Sequence, residues 1–126
     1  MIIAFDVDDT LIVPSVATGF DRDTPNYDVI MLYRWFQSQG HTMVIWSGGG
    51  KDYAEGWAGR LGLTADYIFD KHWSYIEDGS VQKLMTPDLT FDDSDLTLGK
   101  LNVKVKRVNN GVVRYPERVG HRHGKQ

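Results

Sequence analysis

Short apolar runs alternate with helical patterns along most of the chain. The runs at residues 1–5 and 43–46 are continuous and rich in branched or bulky side chains, which is typical of strands buried on both faces. Shorter runs follow at residues 66–69 and 89–91. Residues 103–108 largely alternate apolar and basic side chains, which indicates a half-exposed edge strand. We predict a strand at each of these positions.

Helical patterns separate the first three strands. Thr24 and Pro25 have the residue types of a helix N-cap and first helical position, and Gly40 supplies a stop. The apolar face of this first helix is Val29, Leu32, Tyr33 and Phe36. A second helix is expected at about residues 51–61. Its inward side chains are Tyr53, Trp57 and Leu61, and Gly62 ends it. The mixed composition of residues 13–25 predicts a loop with a small hairpin.

Strands joined by helical crossovers predict a mostly parallel α/β sheet. We expect one domain over residues 1–126 with a three-layer, Rossmann-like core at about 1–108 and helices on both faces. A basic hairpin and tail at about 109–126 should follow, because Asn110-Gly111 is a strong turn signal. Ligands of such sheets bind at the carboxyl ends of the strands. The residues that follow each strand are therefore the candidates for chemistry.

Composition limits the chemistry and the compartment. Hydrophobic residues make up 41% and charged residues 25% of the 126, as in ordinary globular proteins. The chain has no cysteine, which excludes disulfides and thiolate metal sites. No apolar run is long enough to span a bilayer, and the acidic start of the chain is unlike a signal peptide. We therefore expect a cytoplasmic protein with no membrane partner.

The net charge of -3 hides an uneven distribution. Residues 1–99 carry 16 acidic and 6 basic side chains, whereas residues 100–126 carry 8 basic side chains and only one acidic one, Glu117. The basic end could bind a polyanion, remain a solvated terminus, or form a strand that docks on the acidic body.

Acidic, hydroxyl and glycine residues follow the predicted strands. In chain order these are Asp6-Val7-Asp8-Asp9-Thr10, Ser47-Gly48-Gly49-Gly50, Asp70-Lys71 and Asp92-Asp93-Ser94-Asp95. Crowded carboxylates need a counter-charge, and without thiolates or clustered histidines the fitting cation is Mg²⁺. The glycine turn opens a helix, whose free N–H groups favour a phosphate. Together these features predict a phosphoryl-transfer site.

The order of these motifs resembles the haloacid-dehalogenase (HAD) superfamily of aspartate-nucleophile phosphohydrolases. IAFDVDDTLI is similar to its first motif, MVIWSGG to its second and LTFDD to its fourth, and the third motif is a single lysine between the last two. The resemblance covers about residues 1–108. More loosely, LGKLNVKVKRVNN resembles the ends of small phage-encoded members.

The resemblance implies a role for individual residues. Asp6 would be the nucleophile that takes the phosphoryl group, and Asp8 would be the general acid and base. Lys71 would neutralise the phosphate and the nucleophile. Lys83, nine positions before Asp92, is the rival for the third-motif lysine.

The remaining assignments concern ligand binding. Mg²⁺ would be held by the Asp6 carboxylate, the Asp8 backbone carbonyl and Asp92, with Asp93 as a supplementary ligand. Phosphoryl oxygens would be bound by Ser47 with the Gly48 N–H, and Thr10 would orient the first loop by hydrogen bonding.

The resemblance also implies a minimal member of the family. Only residues 11–42 separate the first two motifs, which leaves room for a small flap at residues 13–20 but not for a cap domain. An open site suits a small phosphomonoester such as a nucleotide or sugar phosphate. A nucleic-acid end held by the basic C-terminus is the second substrate class, and a neighbouring subunit of a homo-oligomer could close the site.

Two other functions stay open from the sequence. One is a non-catalytic phosphate- or nucleic-acid-binding module on the same fold. The other is a metal-dependent nuclease in which Asp6, Asp8 and Asp92 bind two metals and water is the nucleophile.

Overall fold

The computed structural model describes residues 1–15, 22–71 and 86–107. In chain order its elements are β1 (Ile2–Asp6), β2 (Ile12–Val13), β3 (Thr24–Pro25), α1 (Tyr27–Ser38), β4 (Thr42–Ser47), α2 (Lys51–Leu61), β5 (Tyr67–Asp70), β6 (Leu89–Asp92) and β7 (Leu101–Lys104). Part of the predicted flap lies outside these residues. The predicted Asn110-Gly111 hairpin and basic tail lie wholly outside them. Neither helix among them is long and apolar enough to cross a membrane.

Five of the strands form one parallel sheet in the order β5-β4-β1-β6-β7. The chain runs outward from β1 to β4 and β5, and then returns to the other side of β1 for β6 and β7. Because the strand order reverses between β1 and β6, the carboxyl ends of these two strands border the crevice where α/β sheets bind ligands. The predicted parallel α/β class is confirmed, and β2 and β3 form a separate antiparallel pair.

Both helices pack on one face of the sheet. Ile3, Phe5 and Ile45 point to this face and share a core with Tyr33 of α1 and Ala54 of α2. The Phe5 ring stacks on Phe91 at a centroid distance of 4.6 Å and meets the edge of the Tyr33 ring at 5.1 Å. This core fixes the sheet beneath the ends of β1 and β6.

The opposite face carries a smaller core. Ala4, Val44 and Trp46 are buried there against Leu98. None of the elements within residues 1–15, 22–71 and 86–107 is a helix on this face. The predicted three-layer arrangement with helices on both faces is therefore found only in part.

The start of α1 differs from the prediction. Thr24 and Pro25 do not cap the helix, since they pair with Val13 and Ile12 as strand β3. Asn26 takes the N-cap position, and its backbone N–H donates to the Leu11 carbonyl at 2.8 Å. Pairing with the loop after β1 places Thr24 and Pro25 in a strand, and this tertiary contact overrides the local capping signal.

The second helix matches its predicted bounds, and Gly62 ends it in the left-handed conformation with φ 68°. The edge strand β7 begins two residues before its predicted start, at Leu101, and ends at Lys104, so residues 105–107 of the predicted strand lie outside it. All four residues of β7 are exposed, whereas the pattern predicts a half-exposed strand. Val108, the last residue of the predicted edge strand, lies beyond the described ranges.

Candidate active site

Asp6 at the end of β1, Asp92 at the end of β6 and Lys71 directly after β5 meet at one edge of the sheet. The Lys71 Nζ lies 3.2 Å from Asp6 Oδ1 and 2.9 Å from Asp92 Oδ2. Only 11%, 6% and 3% of the Lys71, Asp6 and Asp92 side chains are exposed. The convergence follows from register, because Phe5 pairs with Phe91 and the next residue of each strand is the aspartate.

Asp93 adds a third carboxylate to this edge. Asp6, Asp92 and Asp93 each offer an oxygen within 4.8 Å of the other two. Asp93 Oδ2 accepts a hydrogen bond from Arg107 Nε at 2.7 Å. Asp92 Oδ1 accepts from the Ser94 N–H and hydroxyl at 3.0 and 2.9 Å. Together with the contact from Lys71 to Asp6, these donors hold all three carboxylates in place.

The charges at this edge are unevenly balanced. Burial raises the pKa of the Asp6 carboxyl well above its ordinary value; the Lys71 ammonium opposes this shift, and the charges of Asp92 and Asp93 add to it. Burial also raises the pKa of Asp93, against the hydrogen bond from Arg107. Burial alone would lower the pKa of Lys71, but the charges of Asp6 and Asp92 raise it, so its ammonium stays charged. A further cation would favour the ionised forms of Asp6 and Asp93.

The chemistry of this donor set fits Mg²⁺. The three carboxylates supply hard oxygen ligands, and Mg²⁺ commonly binds through one or two carboxylates together with a substrate phosphate. Within the described residues, the Asp8 side chain is not part of this carboxylate cluster. The resemblance assigns only the Asp8 backbone carbonyl to the metal. Asp6, Asp92 and Asp93 are therefore the side chains at this edge that could hold a divalent cation.

The turn between β4 and α2 combines a buried hydroxyl with an open stretch of glycine backbone. Ser47 is buried, and its Oγ accepts the Gly49 N–H at 2.9 Å. Gly50 adopts φ 106°, a conformation that is strained for residues with a side chain, and α2 begins at the next residue. A Cβ atom at Gly48 would meet no heavy atom of the described residues within 4 Å, so there is space for a ligand on that side of the backbone.

The loop after β1 places its polar residues in different surroundings. Asp8 Oδ1 accepts a hydrogen bond from the Tyr53 hydroxyl at 2.8 Å. Thr10 is fully buried, and its hydroxyl has no hydrogen-bond partner in the described part of the chain. The hydrogen bond predicted to orient the loop is therefore not made by this hydroxyl; the Thr10 backbone N–H donates to the Val7 carbonyl at 3.3 Å instead. Asp9 turns the loop with φ 62°.

Of the two candidate lysines, Lys71 lies at the carboxylates, whereas Lys83 is outside the described residues. Sequence reasoning missed two contacts of the site. The helical spacing predicts Tyr53 as a core residue only, and Arg107 falls within the predicted edge strand at residues 103–108. The sequence carries no signal for Arg107 at the acids, because its position there depends on where the chain lies after β7.

Comparisons with protein-family models, with curated proteins and with solved structures found no match to this chain. The functional interpretation therefore depends on the fold, the site geometry and the motif order.

Proposed function

We propose that this chain is a Mg²⁺-dependent phosphomonoesterase of the haloacid-dehalogenase type, in which Asp6 carries the phosphoryl group. The observation that carries the proposal is the buried contact of Lys71 with Asp6 and Asp92 at the strand-order reversal. A carboxylate held beside a cation, next to an open glycine turn, has what an attack on phosphorus requires.

In the first step, an Asp6 carboxylate oxygen bonds to phosphorus while the bond from phosphorus to the leaving oxygen breaks. Asp8 donates a proton to that oxygen, so an alcohol leaves. The Lys71 ammonium reduces the repulsion between the two anions. Ser47 and the Gly48 N–H bind the phosphoryl oxygens.

In the second step, water attacks the phosphorus of the aspartyl-phosphate. The Asp8 carboxylate takes a proton from this water, and the bond from Asp6 to phosphorus breaks, which releases phosphate and regenerates the Asp6 carboxylate. Each group thus returns to its starting state.

The residues that would hold Mg²⁺ are Asp6, Asp92, Asp93 and the backbone carbonyl of Asp8. The bound cation would supply positive charge that offsets the carboxylates and the phosphate. The proposed substrate is a small phosphomonoester, such as a nucleotide or sugar phosphate, that enters an uncapped site.

A phosphatase screen with and without Mg²⁺ tests the proposal, using the unmodified protein, Asp6→Asn and the control Asp28→Asn. Asp28 is exposed on α1, so its loss should leave activity unchanged. We expect Mg²⁺-dependent hydrolysis that falls at least about a thousandfold in Asp6→Asn.

Absence of turnover across a broad panel of monoesters would refute the proposal. Diester cleavage without phosphorylation of Asp6 would indicate a metal-dependent nuclease instead. Salt-dependent nucleic-acid binding that survives Asp6→Asn, again without turnover, would indicate a binding module.

A further inference from the structure

Tyr53 links helix α2 to the loop that follows β1. Its hydroxyl donates to Asp8 Oδ1 at 2.8 Å, across 45 positions of sequence. The Tyr53 ring is half-buried and packs against the glycine turn, where a Cβ atom at Gly49 would come within 3.1 Å of Tyr53 Cδ2. The ring is therefore confined between the turn and the loop.

The direction of this hydrogen bond distinguishes the two Asp8 oxygens. The Tyr53 hydroxyl donates and Asp8 Oδ1 accepts, so Oδ1 is held against α2. A proton that Asp8 transfers is therefore carried on Oδ2.

The Tyr53 hydroxyl is the donor in this contact, because an ionised carboxylate can only accept. Asp8 can accept this hydrogen bond both as a carboxylate and as a carboxylic acid, because an acid with its proton on Oδ2 still accepts at Oδ1.

We propose that Tyr53 is a positioning residue that holds Asp8 by Oδ1 and so directs Oδ2 to the leaving oxygen and to the attacking water. This inference rests on the proposed function, since it assigns Asp8 the proton transfers. It goes beyond that function by placing the control of Asp8 on α2.

The test compares kcat/KM for an aryl phosphate with a weakly basic leaving group and for an alkyl phosphate, whose leaving oxygen needs a proton from Asp8. Tyr53→Phe keeps the ring and removes only the hydroxyl. We expect about a tenfold to hundredfold loss with the alkyl phosphate and less than about a threefold loss with the aryl phosphate. General acid catalysis contributes about a hundredfold to ten-thousandfold, and Tyr53→Phe removes part of it because Asp8 is retained but no longer held.

Two further variants sharpen the comparison. Tyr27→Phe removes a hydroxyl from an exposed position at the start of α1 and should leave kcat/KM unchanged for both substrates. Tyr53→His keeps a ring that can donate a hydrogen bond and should lose less of the alkyl phosphate activity than Tyr53→Phe. It also provides a second test should Tyr53→Phe fail to fold.

An equal loss with both substrates would overturn the inference, because a purely structural role lowers the amount of competent site and does not distinguish leaving groups. No loss with either substrate would overturn it as well. If the unmodified protein hydrolyses the phosphoesters, either of these results overturns the role of Tyr53 and leaves the proposed function standing. If the unmodified protein hydrolyses no phosphoester, both are overturned.

Discussion

Replacing Lys71 with methionine probes the electrostatics on which the site depends. Lys71 Nζ lies 3.2 Å from Asp6 and 2.9 Å from Asp92, and the three side chains are almost fully buried. Methionine keeps much of the volume of the side chain and removes its charge. The two aspartates would then face each other and Asp93 without the ammonium between them.

Removing one partner of a buried ion pair costs about 3–5 kcal/mol of unfolding free energy. Protonation of the carboxyls limits this cost, and the pKa of Asp6 is already raised by burial. Without Lys71 that pKa rises further, so the native state binds more protons than the unfolded state and stability falls as pH rises. We therefore expect a loss of about 3 kcal/mol near pH 8 and about 1 kcal/mol near pH 5.

Urea denaturation in the presence of a chelator measures both values. Lys104→Met is the matched control, because Lys104 pairs with Asp95 at 2.8 Å but 60% and 86% of the two side chains are exposed. Such a surface pair contributes less than about 1 kcal/mol at either pH. Equal destabilisation by the two substitutions, or a Lys71→Met loss that does not grow with pH, would refute the reasoning.

Three further predictions concern the same edge of the sheet. Without metal, the free energy of unfolding should decline as pH rises above the ordinary carboxyl range, because the raised pKa of Asp6 favours its neutral form. Asp6→Asn should flatten this decline, and an unchanged slope in urea titrations would contradict the prediction. Arg107→Gln should tighten Mg²⁺ binding severalfold in calorimetry, since it removes a competing cation 2.7 Å from Asp93; unchanged binding would argue against Asp93 as a ligand, and weaker binding would contradict the expected competition between Arg107 and the metal. Gly50→Ala should lower the unfolding free energy by about 1–3 kcal/mol because of φ 106°, whereas Gly48→Ala should have little effect; equal melting temperatures of these two variants would be inconsistent with the turn geometry.

Periodicity and glycine signals are sufficient to predict the parallel sheet and helix α2. The bounds of this helix match because local features set both ends: a glycine turn before residue 51 and a left-handed Gly62 after residue 61. The start of α1 is not predictable in this way. Thr24 and Pro25 carry a capping signal, but their pairing with residues 12–13 depends on how the loop after β1 folds back.

The convergence of the acids was predictable because parallel strands end at one edge, so Asp6 and Asp92 follow neighbouring strands to the same place. Tyr53 could not be assigned this way. Its spacing on α2 predicts a core position, and only the placement of α2 against the loop after β1 shows its hydroxyl at Asp8. Arg107 likewise depends on where the chain lies after β7.

The central claim is that Asp6 itself bonds to phosphorus. Borohydride reduction during turnover converts an aspartyl-phosphate to homoserine, and peptide mass spectrometry locates the modified residue. We predict homoserine at position 6 in the presence of substrate and Mg²⁺, and none in the absence of substrate. Steady turnover with an unmodified Asp6, or homoserine at another aspartate, would contradict the account.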